Sequence, residues 1–130
     1  MKKIILDTNF LMIPIQFRVD IFSEISRICD FNYKLYVYKS SVDELNEIIK
    51  TQSQKHRKAA EFALKLIKLK NIEMIDSDEK YADSLILENL DKDTIVATQD
   101  VKLKKEVLKK NAPVIFLRQK KYLEMFRKGL

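Results

Sequence analysis

The sequence predicts an α/β domain, a parallel sheet of about five strands with helices on both faces. Two observations lead there. Short apolar runs alternate along the chain with amphipathic stretches of helical period, the pattern of strand–helix–strand units. The 130 residues, 46% hydrophobic and 34% charged, suit one globular domain around one core. No internal repeat, low-complexity tract or Pro/Gly/Ser-rich linker breaks the chain, so residues 1–130 are expected to form a single domain.

The elements follow in order. Lys3-Ile4-Ile5-Leu6 is a short apolar run with β-branched residues, a buried strand. From Asp20 to Asp30, Ile21, Phe22, Ile25 and Ile28 recur at helical spacing. Leu35–Tyr38 is a second strand. Ser41 to Lys50 is a helix through Val42, Leu45, Ile48 and Ile49, with Ser41-x-x-Glu44 available as a capping box. Lys55 to Lys70 is a longer helix with Ala59, Phe62, Ala63, Leu66, Ile67 and Leu69 on one face. Ile72–Ile75 alternates and suits a sheet edge. Lys80 to Asn89 is a helix through Ala82, Leu85, Ile86 and Leu87. Ile95-Val96-Ala97, apolar throughout, is a central strand. Val101 to Lys110 is a basic helix. Pro113–Leu117 is the fifth strand, with proline at its permitted first position. The tail from Gln119 is expected to close as a short basic helix.

Composition removes whole classes of chemistry. Glycine occurs once, at Gly129, which excludes the glycine-rich phosphate loops of P-loop and dinucleotide-binding proteins. Histidine occurs once, at His56, so a histidine acid/base pair and a multi-histidine zinc site are both impossible within one chain. The single cysteine, Cys29, permits no intrachain disulfide and suits a reducing cytoplasm. Phosphate chemistry here must run through other side chains or metals.

The formal charge is +6 and unevenly spread. Residues 102–130 hold ten Lys and Arg against two acids, +8, which leaves −2 on the rest. A cationic segment from about residue 102 on a near-neutral body suits a polyanion, nucleic acid first; a solvated lysine face is the plain alternative. Lys2-Lys3 is followed by only three apolar residues before Asp7, which is no secretory signal. The longest uncharged run, Thr8 to Phe17, is too short to span a bilayer and contains Pro14. A cytoplasmic protein without a membrane partner is therefore expected. The same run, with Leu11, Met12, Ile13 and Ile15, suits either a core-packed loop or a homodimer face.

Ligands of open α/β sheets bind beyond the strand C-terminal ends, near the point where strand order reverses. Four carboxylates fall at those junctions: Asp7 directly after the first strand, Glu44 and Asp83 in first helical turns, and Asp100 three residues after Ala97. Each also has a local use, as an Asx-turn, a capping-box partner, a dipole partner or an N-cap. Their company points further. Asp7-Thr8-Asn9 and Thr98-Gln99-Asp100 are polar clusters directly behind apolar strands, where one cap needs one residue. Gathered carboxylates repel unless a cation lies between them, and oxygen ligands suit Mg²⁺ or Mn²⁺.

The segments Ile4–Asn9, Ser41–Leu45, Tyr81–Ser84 and Ile95–Asp100, with Leu103-Lys104 and Pro113–Arg118 behind them, resemble the PIN-domain nucleases along essentially the whole chain. That family includes VapC toxins and ribosomal-RNA-processing endonucleases, and Arg118-Gln119-Lys120-Lys121 looks like archaeal members near the processing branch. The resemblance implies a three-layer α/β/α sandwich and metal-dependent endonucleolytic cleavage of single-stranded or structured RNA. It makes Asp7, Glu44, Asp83 and Asp100 the catalytic, metal-binding set, and aligns Glu44 rather than Asp43 with the inward position. Two departures stand out: Ser84 where many members carry a second acid, and Gln99 where many carry Asn or Ser.

The expected reaction is hydrolysis of a phosphodiester by water, with Mg²⁺ or Mn²⁺ supplying charge and water activation, leaving 5′-phosphate and 3′-hydroxyl ends. Asn9 and Thr98 would hold carboxylates or waters in place. Lys104, Lys105, Arg118, Lys120 and Lys121 are the candidates to hold the RNA backbone. The implied partners beyond RNA are an antitoxin or a ribosome-assembly protein. The alternatives are a catalytically silent RNA-binding scaffold of the same fold, and an acid-cluster phosphatase. The latter wants a second Asp two residues after Asp7, where Asn9 stands.

Overall fold

In a computed structural model, described for residues 1–77 and 81–128, six strands make one sheet in the order β3-β2-β1-β4-β5-β6. The strands are β1 (Lys2–Leu6), β2 (Tyr33–Tyr38), β3 (Glu73–Ile75), β4 (Thr94–Ala97), β5 (Val114–Arg118) and β6 (Tyr122–Phe126). The first five run parallel, and β6 returns antiparallel to β5. The helices are α1 (Ile13–Phe17), α2 (Ile21–Ile28), α3 (Lys39–Thr51), α4 (Gln54–Leu69), α5 (Ala82–Glu88) and α6 (Val101–Lys109). Helices α1 to α4 share a core with Ile4, Leu6, Val37 and Ile95. Helices α5 and α6 share another with Ile5, Val96 and Val114. Alternate residues of β1 and β4 thus enter opposite cores, as period-2 side chains must. This is the expected three-layer sandwich, with strand order reversing between β1 and β4.

Every residue of β4 is buried, and β3 is the opposite edge, as the sequence implies. Asparagines stand in for the missing glycines: Asn71 and Asn111, just beyond α4 and α6, hold left-handed backbone at φ 51° and 65°. Most of the uncharged run is core. Phe10 and Leu11 in a short 3-10 turn, and Ile13 opening α1, are fully buried; Ile15 is exposed.

Three expectations fail. First, the tail forms strand β6, not a basic helix. Tyr122-Leu123-Glu124-Met125-Phe126 alternates, and Leu123 is 1% exposed. The chain turns through left-handed Gln119 and Lys120, with the Lys121 N–H donating to Arg118 O at 3.0 Å. Side chains of α2 satisfy the outer edge: Leu123 N–H donates to Glu24 Oε1 and Arg27 Nη2 donates to Leu123 O, both at 2.9 Å. That cover blunts an edge that would otherwise seek another strand. Second, Ser41 caps nothing. Helix α3 starts at Lys39, and Ser40 N–H donates to Ser77 Oγ, across the sheet after β3, at 3.2 Å. Third, the buried face of α4 is Ala59, Ala60, Ala63 and Leu66, whereas Phe62 is partly exposed and Leu69 is exposed. Phe62 and Leu69 are turned outward, while Leu66 is buried and Leu64 and Ile67 pack against the core. Lys80, expected to open α5, lies outside the described residues.

Candidate active site

The reversal point puts the ends of β1 and β4 side by side. Asp7 N–H donates to Ala97 O at 2.9 Å, extending the ladder one step past Leu6. A cleft of ≈ 410 Å³ opens there, lined by Asp7, Glu44, Asp83 and Asp100 together with Thr8, Asn9, Met12, Ile48, Tyr81 and Ser84. Four carboxylates from four separate junctions therefore reach one cavity. Asp7 is buried and Glu44 half-buried, while Asp83 and Asp100 stand exposed at the rim. Asp43, one residue from Glu44, points to solvent and pairs with Lys39 at 3.4 Å. Adjacent helical residues diverge in this way, so the inward acid is Glu44.

Each acid is held by a short local network. Asp7 Oδ2 accepts from Thr98 Oγ1 at 2.7 Å and Asp7 Oδ1 from Thr8 N–H at 2.9 Å. Thr98 is fully buried, and its Oγ1 also accepts from Asp100 N–H at 3.0 Å, so one hydroxyl ties the two junctions together. Glu44 Oε2 accepts from Thr8 Oγ1 at 3.0 Å, which ties α3 to the loop after β1. Asp83 Oδ1 accepts from Ser84 N–H at 2.8 Å. Asp100 does cap its helix: Oδ1 accepts from Lys102 N–H at 2.9 Å and Leu103 N–H at 3.1 Å. The cap and a place in the cleft belong to the same residue.

Burial raises the Asp7 carboxyl above its ordinary range, against the hydrogen bonds from Thr98 and Thr8, and the charges of Asp100 and Asp83 raise it further. Burial likewise raises Glu44, with the Asp7 and Asp83 charges adding to it and Thr8 opposing. The acids feel one another, and no lysine or arginine is among the described residues lining the cleft. Oxygen donors alone, unbalanced charge and a partly desolvated position fit a hard divalent cation. As the side chains lie, no three acidic, thiol or imidazole groups among the described residues form a ready-made cage; Asp7 and Glu44 are turned onto their threonines.

Thr98 stands where the sequence places it, against Asp7. Asn9 lines the cleft but holds the loop: its Oδ1 accepts from Gln99 N–H at 3.2 Å. Thr8, joining Asp7 to Glu44, was not singled out from the sequence, although its place between Asp7 and Asn9 was the available signal. Lys102 was also missed. It lines a groove of ≈ 230 Å³ with Asp83, Ser84, Asp100 and Glu106, and the first three of these also line the acidic cleft. The nominated cations line neither cavity. Lys104 Nζ lies 3.6 Å from the Phe116 ring centroid, and Arg118 Nη1 is 3.4 Å from Glu124 Oε2. Arg118, Lys120 and Lys121 nonetheless sit at the C-terminal end of β5, on the same sheet edge as the acids. No helix among the described residues is long and apolar enough to cross a membrane.

The model of the PIN-like domain family matches residues 4–120. Ribonuclease VapC4 of Methanocaldococcus jannaschii is 34% identical over 128 residues, covering 97% of this chain and 98% of that protein. The solved PIN domain endonuclease Utp24 superposes with TM-score 0.77 at 22% identity, over 98% of this chain and 92% of that one. The VapBC2 structure from Rickettsia felis, bound to a DNA fragment from its promoter, superposes with TM-score 0.56 at 14% identity, over 89% and 99%. The latter two likenesses establish the fold.

Proposed function

The chain belongs to the PIN-like domain family, and from that premise we propose that it is a metal-dependent endoribonuclease whose site is the acidic cleft. The observation that carries this reading is the convergence of Asp7, Glu44, Asp83 and Asp100 on one cavity without a described lysine or arginine to balance them. The whole-length relative is named a ribonuclease, which favours RNA as the polymer.

Asp7, Glu44, Asp83 and Asp100 would hold the ion, Mg²⁺ or Mn²⁺. When bound, it supplies positive charge beside the scissile phosphate and lowers the pKa of water. The protein's own contribution is preorganisation. Thr98 and the Thr8 N–H keep Asp7 oriented, the Thr8 hydroxyl keeps Glu44 oriented, and Asn9 fixes the loop that carries Asp100. Lys102 borders the groove beside the rim acids, and Lys120, Lys121 and Arg118 add positive charge along the same edge to attract the backbone. The expected products are 5′-phosphate and 3′-hydroxyl ends.

The test is incubation of an unstructured RNA with Mn²⁺ or Mg²⁺, followed by end-group analysis. Cleavage that EDTA stops, leaving 5′-phosphates, supports the reading. Metal-independent cleavage or 2′,3′-cyclic ends would overturn it, and binding without cleavage would make the chain a silent scaffold.

Of the roles the family resemblance implies, the relative named VapC4 at matching length favours a VapC-type toxin in the cytoplasm, masked by an antitoxin. Expression of this chain alone should then arrest growth, and the Asp7→Asn variant should not. Unimpaired growth with an active enzyme assigns it to RNA processing.

A further inference from the structure

Tyr81 is the residue whose presence the fold does not explain. It is the N-cap of α5, a position that favours Ser, Thr, Asp or Asn, and its side chain makes no cap hydrogen bond. Tyr38, the N-cap of α3, is also aromatic, but it is 6% exposed and packed into the second core. Tyr81 is 76% exposed, more than any other aromatic residue among those described. Its ring therefore gains neither a cap nor burial. What it does have is position: it lines the acidic cleft two residues before Asp83. Met12 and Ile48 line the same cleft and give it an apolar wall beside the acids. A second groove shares Asp83, Ser84 and Asp100 with the cleft and is also lined by Lys102. The two neighbouring cavities thus present an aromatic ring, carboxylates and a cation.

Single-stranded nucleic acid is held by this combination, a base stacked on an aromatic ring and a backbone tracked by positive charge. Duplex RNA keeps its bases stacked on each other, and its deep narrow groove admits no side chain to them. We propose that Tyr81 is a stacking platform for one nucleobase next to the scissile phosphate. The inference rests on the nuclease reading of the cleft and adds a base contact to it. Tyr81 acts through its π-face alone, so phenylalanine should replace it and leucine should not. The hydroxyl is not used.

The experiment compares wild type, Tyr81→Phe and Tyr81→Leu on an unstructured RNA with one cleavage site. A matched set carries a single abasic nucleotide stepped through the positions flanking that site. Tyr81→Leu should lower kcat/KM on the intact RNA by about 5- to 160-fold, the range of one base–aromatic stack, and Tyr81→Phe should stay near wild type. At one abasic position the penalty of Tyr81→Leu should vanish, because the base it would have lost is already absent. A Tyr81→Leu enzyme as fast as wild type, a penalty equal on all abasic RNAs, or a Tyr81→Phe enzyme as slow as Tyr81→Leu would each overturn the proposal. Binding separates this from failure of the nuclease reading. The binding assay uses Asp7→Asn protein and RNA carrying 2-aminopurine at each position in turn. Stacking should quench one position with Asp7→Asn alone and with Tyr81→Phe added to it, and not with Tyr81→Leu added to it. That quench without any cleavage by wild type supports the platform and removes the catalytic reading. Absence of the quench overturns the platform whether or not RNA is cut.

Discussion

The same two strands carry acids at both of their ends, and the two ends treat them oppositely. At the start of β1 and β4, Asp91 and Asp93 face Lys3 and Lys2: Lys3 and Asp91 form a close ion pair, and Lys2 Nζ is 3.7 Å from Asp93 Oδ1. The Lys3 hydrogen bond, with others from the Asp93 N–H and Thr94, holds Asp91 down at about 2. At the other end of these strands, Asp7 and Glu44 have hydroxyl and N–H donors but no described lysine or arginine in their cleft, and burial pushes both upward. One end is a balanced surface whose charges serve themselves. The other holds negative charge in a partly desolvated place with no cation among the described residues that line it. Unbalanced charge is costly to fold around, so it marks the end where a ligand is expected. Identical residue types thus carry different meanings, and partners rather than identity distinguish them.

The largest expected difference between the two ends is in catalysis. Asp7→Asn should reduce RNA cleavage by at least ~10²-fold, because ion-borne charge stabilisation is worth several kcal/mol, whereas Asp91→Asn should leave it within about twofold. Steady-state cleavage of one RNA by both purified variants decides it. Equal losses would erase the distinction between the ends.

Affinity for RNA comes next. Replacing Lys104, Lys105, Lys120 and Lys121 with alanine should flatten the dependence of log K on log[salt] by about 0.7 for each lysine that touches phosphate on a single strand. Replacing Lys2 and Lys3, at the opposite edge, should leave that slope unchanged. Fluorescence anisotropy over a salt series measures both. A slope that is the same in all three proteins would reduce the basic segment to a solubility device. Lys104 is the instructive member, since its ammonium already rests on Phe116.

A smaller effect separates cap from ligand at Asp100. Mn²⁺ at ~10 times its dissociation constant should stabilise wild type by about 1.4 kcal/mol, and Asp91→Asn equally. Asp100→Asn should respond much less. Without metal, Asp100→Asn should be at least as stable as wild type, since Asn caps a helix about as well as Asp and relieves repulsion. Urea unfolding with EDTA and with Mn²⁺ reads all of these. An undiminished response in Asp100→Asn would leave it a cap only.

The smallest effect is the pH dependence of the balanced end. Asp91 is held below its unfolded value of 3.8, so its contribution is complete above that value and fades as pH falls through about 2. Because its side chain is 48% exposed, the contribution is screened and should stay under about 1 kcal/mol. Asp91→Asn should therefore destabilise slightly at neutral pH and progressively less as pH falls toward and below about 2, measured by urea midpoints. A difference that persists unchanged at the acid end would mean the pair is not its source.

Much of this was present in the sequence by itself. Alternating strands and helices, the apolar β4, the proline before β5 and the four junction acids are local facts, set by side-chain period, burial and the few residue types that suit a strand end. The choice of Glu44 over Asp43 needed the family motif, since the two differ only in helical phase. Tertiary structure decided the rest, because it depends on what lies across the sheet. Ser77 supplies a donor's partner at the start of α3, so Ser41 is not the cap its spacing suggests. Glu24 and Arg27 of α2 cover the edge of β6, so a lysine-flanked segment that reads as a helix is held as a strand. The balance of charge at each end of β1 and β4 is likewise a property of neighbours 36 to 91 residues away, such as Glu44 beside Thr8 and Thr98 beside Asp7. Hydrogen bonds and ion pairs reach only about 3 to 4 Å, and only folding determines which residues come within that distance.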